Sequence, residues 1–218
     1  MALVELYTAR LCPFALRVRL ALAEKNVQAS EVEIDPQNKP AWFLEMSPLG
    51  KVPLLRHGAN LVWESAVICE YLDEAFSGFR LLPQDRYERA RARVWVKFAD
   101  DRLYARTEAL LHSSDRKLHA AIVAELAESL RLLERQALAG ALRDGPYWLG
   151  AELSVADLAF YPWFEQVCVL EQYFGLQMPP ECHRLTAWRQ AVAAREAVQA
   201  IGKPPEFYLD AYRRLLAA

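Results

Sequence analysis

Apolar and polar residues alternate with a period of two in short stretches of the first third of the chain, and follow helical spacing through most of the rest. Residues 2 to 7, with Val4, Leu6 and Tyr7, predict a strand. Residues 13 to 25 place Phe14, Leu16, Val18, Leu20 and Leu22 among Arg and Lys, and predict a helix that opens on Pro13 and stops at Lys25-Asn26. Val27 to Ile34 alternates again and predicts a second strand. Strand, helix and strand in so short a span imply a parallel pair joined by a right-handed crossover.

After a turn over Asp35 to Lys39, Ala41 to Met46 predicts a short helix closed by Ser47-Pro48-Leu49-Gly50. Lys51 to Leu55 and Asn60 to Trp63 predict two strands joined through His57-Gly58-Ala59. Pro53 inside the first marks a special backbone position, read as a cis proline. A helix then begins at Glu64-Ser65 and runs to about Phe76. This order is that of a thioredoxin-like α/β domain over residues 1 to 77. Gly78 and Pro83 break the periodicity, so a linker is placed at residues 78 to 85.

Residues 86 to 218 read as an all-α domain. One amphipathic helix is expected over Arg86 to His112, with arginines along its opening turns, and another over Arg116 to Leu142. The arginines read as a solvated, paired face. Tyr147 to Gly150 is a loop. Ser154 followed by Asp157 is a capping box that starts a helix over Leu158 to Val169, a run too apolar to face water. Residues 183 to 201 and 205 to 216 add shorter helices.

The chain has 218 residues, 54% of them hydrophobic and 25% charged, with a net charge of −2. That balance excludes a disordered chain and gives no electrostatic footprint for nucleic acid or a membrane surface. No apolar run approaches the ~20 residues that cross a bilayer, and the opening is strand-like, so a cytoplasmic location is expected. Cys12, Cys69, Cys168 and Cys182 lack paired spacing and are expected to stay reduced. No metal is expected, because His57, His112, His119 and His183 form no ligand-spaced set.

Candidate chemistry concentrates in the first domain. Cys12 precedes Pro13 at a helix start, where unpaired amides favour an anion, so its thiol is expected to ionise more readily than a free one. Val52, extended before Pro53, offers a backbone N–H and C=O to which a short peptide can add as a strand. Ser65 can offer hydroxyl and amide to a carboxylate, Glu64 can accept from an ammonium, and Lys39 can meet a second carboxylate. A small peptide with one amino group, two carboxylates and a central thiol matches that set. Tyr7, at the end of the first strand, reads as a core or edge aromatic.

Cys12-Pro13-Phe14, Asn38-Lys39-Pro40-Ala41-Trp42-Phe43, Val52-Pro53, Trp63-Glu64-Ser65-Ala66-Val67-Ile68 and Tyr71-Leu72-Asp73-Glu74 together resemble the cytosolic glutathione transferases, the omega-like cysteine class most closely. Ser154 to Asp157 resembles the helix-starting box of the family's all-helical domain, which extends the likeness over the whole chain. The resemblance implies that Cys12 is catalytic; tyrosine-type members of the family carry a hydroxyl at the end of the first strand instead, which makes Tyr7, and after it Thr8, the lesser alternatives. It implies that Phe14, Lys39, Val52 with Pro53, Glu64 and Ser65 bind glutathione, the co-substrate, and that the protein is a homodimer.

Position 15 is alanine, so Cys12 has no local resolving thiol; a mixed disulfide with glutathione, resolved by a second glutathione, is the expected cycle. Deglutathionylation or a dehydroascorbate-type reduction fits it, with a small electrophilic or disulfide acceptor. Tyr104, Tyr161 and Trp163, with Asp101, Arg106 and Phe164, are candidates for the acceptor pocket, although aromatic stripes at helical spacing are usually core. Conjugation, dehalogenation or isomerisation on the same fold is the competing enzyme reading. A non-catalytic scaffold resembling stringent-starvation proteins is the competing binding reading.

Overall fold

The strand Val4–Thr8 (β1) is the centre on which the N-terminal unit is assembled. The computed structural model describes residues 3–137 and 145–216. Helix α1 covers Pro13–Glu24, β2 Ser30–Glu33, α2 Ala41–Met46, β3 Leu54–His57, β4 Asn60–Trp63 and α3 Ser65–Ala75. The sheet order is β2-β1-β3-β4. β1 and β2 are parallel, with Tyr7 opposite Val32; β3 runs antiparallel to β1, with Tyr7 opposite Leu54, and β4 antiparallel to β3.

Alternation along β1 serves two faces of the sheet. Tyr7 and Leu54 pack with Ile34 and Phe43, flanked by Val32, Met46, Val52 and Leu61. Leu6 and Leu55 are buried on the other face, where Leu16, Val18 and Leu20 of α1 and Ile68 and Leu72 of α3 are buried too.

β2 is shorter than its alternation predicts, and β3 starts later than predicted and runs on to His57. Asn26 takes a left-handed turn with φ 53° after α1, and the chain joins the ladder only at Ser30. Lys51 is withheld from β3 because the Ser47 hydroxyl donates to its carbonyl and accepts from its N–H, each at 3.2 Å.

A buried ion pair ties the end of α1 to α3. Lys25 Nζ lies 3.1 Å from Asp73 and donates to the Phe79 carbonyl at 2.8 Å. Asp73 also accepts from the N–H groups of Leu81 and Leu82, at 2.7 and 3.1 Å. One side-chain pair thus fixes two helices and the segment leaving them. The compact unit ends at Leu82, and a second runs from Pro83.

In the second unit, α4 covers Arg86–Phe98, capped by Asp85, whose carboxylate accepts from the N–H groups of Tyr87 and Glu88. It passes through a π-helical turn, Ala99–Tyr104, into α5, Ala105–Leu111, where apolar spacing alone predicts one uniform helix. α6 covers Arg116–Leu132 and widens over Leu133–Ala137; the rest of its predicted extent, residues 138 to 142, lies outside the described residues.

α7, Val155–Glu165, is buried along its whole length, as its apolar run requires. Its start is fixed by the Asp157 carboxylate, which accepts from Ser154 N–H, Ser154 Oγ, Trp148 N–H and Trp188 Nε1 at 2.7 to 2.9 Å. Val167–Phe174 is α8, closed by left-handed Gly175; His183–Ala193, Glu196–Ile201 and Pro205–Leu216 are α9, α10 and α11. The single helix predicted over 183 to 201 is therefore two, divided where Arg195 is extended. Among the described residues no helix is long and apolar enough to cross a membrane, and no cluster of His, Cys, Asp and Glu could hold a metal ion.

Candidate active site

Cys12 is the N-cap of α1, with Pro13 in the first helical position. Its half-buried sulfur accepts from the Ala15 N–H at 3.4 Å and donates to the Val52 carbonyl at 3.7 Å. Burial pushes the Cys12 thiol up from its ordinary pKa, and the Ala15 and Phe14 amides and the Arg17 guanidinium pull it down by less. The expectation of a readily ionised thiol is therefore corrected for the ligand-free protein. The helix terminus is oriented as predicted, but desolvation outweighs it.

Val52 precedes the ladder, which begins at Leu54, and its peptide bond to Pro53 is cis. Its carbonyl faces the Cys12 sulfur, and Pro53 is buried beneath. Lys51, which the pattern reading did not single out, is exposed immediately before Val52. Any peptide pairing with Val52 lies within a few residues of that cation.

Glu64 and Ser65 open α3. Glu64 is exposed and holds φ 66°, a conformation that side chains other than glycine rarely adopt. Ser65 is buried, and its Oγ accepts from Arg17 Nη1 at 3.0 Å. The guanidinium carbon of Arg17 also lies 5.3 Å from the centre of the half-buried Phe14 ring. Cys12 thus meets Val52, while Arg17 lies between Phe14 and Ser65. Lys39 is exposed in the turn before α2, and no measured contact ties it to the others.

Arg17 is the residue that pattern reading missed. A single arginine in an amphipathic helix reads as part of the wet face, yet this one is only 1% exposed. Its signal was positional, three residues after Phe14 on the same helix face.

Tyr7 does not offer an activated hydroxyl. Its ring packs 5.9 Å from Trp42 and 6.0 Å from Phe43, and burial, aided by Glu5 and opposed by Arg56, raises its phenol pKa. Thr8 is buried as well.

Of the acceptor-pocket candidates of the second unit, Tyr104, Tyr161, Trp163 and Phe164 are buried, which corrects the expectation that these aromatics line a pocket, whereas Asp101 and Arg106 are exposed and ion-paired. Tyr104 is buried and donates to the Ala159 carbonyl at 2.9 Å; buried Trp163 donates to Thr107 Oγ1 at 2.9 Å. Tyr161 is buried, with its phenol pushed up to about 12, and Phe164 packs edge-on against Trp188. Asp101 pairs with Lys97 and Arg106 with Glu125. The helical spacing that suggested a lining belongs to the core.

Two family descriptions match the chain: the glutathione S-transferase N-terminal domain over residues 6–80 and the glutathione S-transferase C-terminal domain over residues 104–191. The chain belongs to the glutathione S-transferase family. It is a glutathione transferase, an enzyme with glutathione as co-substrate.

Pig glutathione S-transferase omega-1 is 35% identical over 206 residues, covering 93% of this chain and 82% of the pig protein. The crystal structure of a Tau class glutathione S-transferase from mango superimposes with a TM-score of 0.89 at 27% identity, over 97% of this chain and 98% of that one. A rice glutathione transferase solved in complex with glutathione gives 0.88 at 31% identity, over 99% and 97% of the two chains. The likeness of this transferase thus extends to both omega and tau relatives. The omega-like expectation holds in that broader form.

Proposed function

We propose that this glutathione transferase catalyses thiol transfer through Cys12. The observation that carries the reading is the half-buried Cys12 sulfur at the start of α1, 3.7 Å from the carbonyl of Val52. The extended segment before Pro53 is the edge to which a tripeptide backbone adds, so a docked glutathione brings its own sulfur to Cys12.

In the first step the Cys12 thiolate attacks the glutathionyl sulfur of a mixed disulfide. A Cys12–glutathione disulfide forms, the acceptor thiolate leaves, and the proton lost by Cys12 neutralises it. In the second step the thiolate of a second glutathione attacks the glutathionyl sulfur held on Cys12. This gives oxidised glutathione and returns Cys12 reduced. Lys39 or Lys51 serves the glycyl carboxylate, and Ser65 and Glu64 serve the γ-glutamyl end. We infer a homodimer as the working form from family membership. Turnover of a glutathionylated peptide by the wild type and by Cys12→Ser tests the reading: the substitution is expected to abolish it, and turnover at the wild-type rate would refute it.

A second reading has support in the raised thiol pKa. A protonated Cys12 can donate to the thiolate of bound glutathione, which then attacks an electrophile by conjugation. In that case Cys12→Ser, which keeps a donor, conserves conjugation.

A further inference from the structure

Cys12 and Cys182 each cap a helix, and their side chains are treated differently. Cys182 is the N-cap of α9, where its carbonyl accepts the Thr186 N–H at 3.2 Å, just as the Cys12 carbonyl accepts from Leu16 at the start of α1. The Cys12 sulfur accepts from the third amide of its helix, Ala15 N–H, whereas the Cys182 side chain makes no capping hydrogen bond. Glu134 takes its place. Its carboxylate reaches from the widened turn Leu133–Ala137 and accepts from Arg184 N–H at 3.0 Å and Leu185 N–H at 2.9 Å, the second and third amides of α9.

We propose that Glu134 keeps Cys182 protonated and out of thiol exchange, by seating a negative charge on the α9 amides that would otherwise hold a thiolate at that position. This role is independent of the one given to Cys12.

The first amides of a helix lack intrahelical acceptors, and an N-cap side chain ordinarily satisfies the second or third of them. A cysteine at that position gains as a thiolate and becomes a nucleophile. Beside glutathione this is a liability, because a thiolate attacks the disulfide of oxidised glutathione, forms a mixed disulfide and expels one glutathione thiolate. In α9 both amides are already bonded to a carboxylate, so a thiolate at position 182 would meet an anion where it needs donors.

The surroundings act in the same direction. Cys182 is 1% exposed, and burial, followed by the Glu134 and Glu181 carboxylates, pushes its thiol up to about 11, with Arg131 and Arg135 opposing. Asp157 of α7 is engaged by Ser154, Trp148 and Trp188, and His183 and Arg184 are exposed. A cap that served only to tie α6 to α9 could be replaced by any acceptor; an insulating one needs the negative charge.

The test follows the Cβ carbon-13 resonance of Cys182 against pH in cysteine-labelled protein, assigned by its loss in Cys182→Ser. At pH 10 the wild type is expected to hold about a tenth of Cys182 as thiolate. Glu134→Gln keeps an acceptor and removes the charge, and it is expected to raise that fraction to about a half, the effect of one pKa unit. An unchanged thiolate fraction in Glu134→Gln overturns the proposal and leaves Glu134 a plain tie between two helices.

Should Glu134→Gln fail to fold, Cys182→Ser is added to it. A serine hydroxyl can accept from an amide that the carboxylate gives up, so recovery of the folded protein is expected. No recovery would mean that position 182 and Glu134 do not share those amides, and it overturns the proposal.

Discussion

The Cys12 sulfur donates to the carbonyl of Val52, the same carbonyl that a docked tripeptide would use to pair its backbone. Without ligand, the Cys12 sulfur is therefore held as a thiol, and in the proposed cycle glutathione competes for its acceptor. Burial adds to this by disfavouring the thiolate.

The first prediction follows from that competition. Without ligand, the Cys12 thiolate should appear only above the ordinary thiol value of about 8.5. The folded protein then keeps a proton that the unfolded chain releases, so this group's contribution to stability is lost as pH rises through the folded pKa. S-methylglutathione, by occupying the Val52 carbonyl, should lower the midpoint. Thiolate absorbance against pH, with Cys12→Ser as the blank, checks both statements; a midpoint indifferent to ligand contradicts the competition.

Glu64→Ala should weaken glutathione binding by removing a charge-assisted contact, worth about 1.5 to 3 kcal/mol. Glu64 is exposed and its backbone is held at φ 66°, so Glu64→Gly is a useful companion that relieves the backbone while removing the carboxylate. Calorimetry should show a similar affinity loss in both, and chemical denaturation should show Glu64→Gly the more stable of the two. Unchanged affinity in either variant would remove Glu64 from the site.

Lys25→Met should destabilise the N-terminal unit by about 3 to 5 kcal/mol, because it leaves the Asp73 carboxylate buried without its cation. Asp73 would still cap Leu81 and Leu82. Urea unfolding monitored by circular dichroism gives the value; a loss under about 1 kcal/mol would mean the pair is not buried in solution.

Asp157→Ala strips the partner from Ser154, from the Trp148 N–H and from Trp188 Nε1, all buried. Each orphaned donor costs about 1 to 3 kcal/mol, so the helical unit should unfold or express poorly. Asp157→Asn keeps an acceptor and should be milder. Equal melting temperatures for the two variants would count against the capping role.

Pattern reading found the strand and helix order of the first unit because each element there carries its own period and its own punctuation. It overran β3 because the Ser47 hydroxyl, a polar side chain outside the pattern, captures Lys51 before the ladder begins. It missed the π-helical turn at Ala99–Tyr104 because one extra residue in a helix hardly disturbs apolar spacing. Tyr161 and Trp163 illustrate a conflict that burial resolves. The run containing them is too apolar to face water, and the same rings that suggested a ligand lining are the packed interior of α7. Arg17 was illegible for the opposite reason, since a charge gives no hint that its helix face is covered.

The most direct measurement is the intact mass of the protein after exposure to oxidised glutathione. The account predicts a single glutathionyl adduct that is absent in Cys12→Ser and is discharged by excess reduced glutathione. A wild type that takes up no adduct, or an adduct that persists in Cys12→Ser, would contradict a transfer cycle through this sulfur.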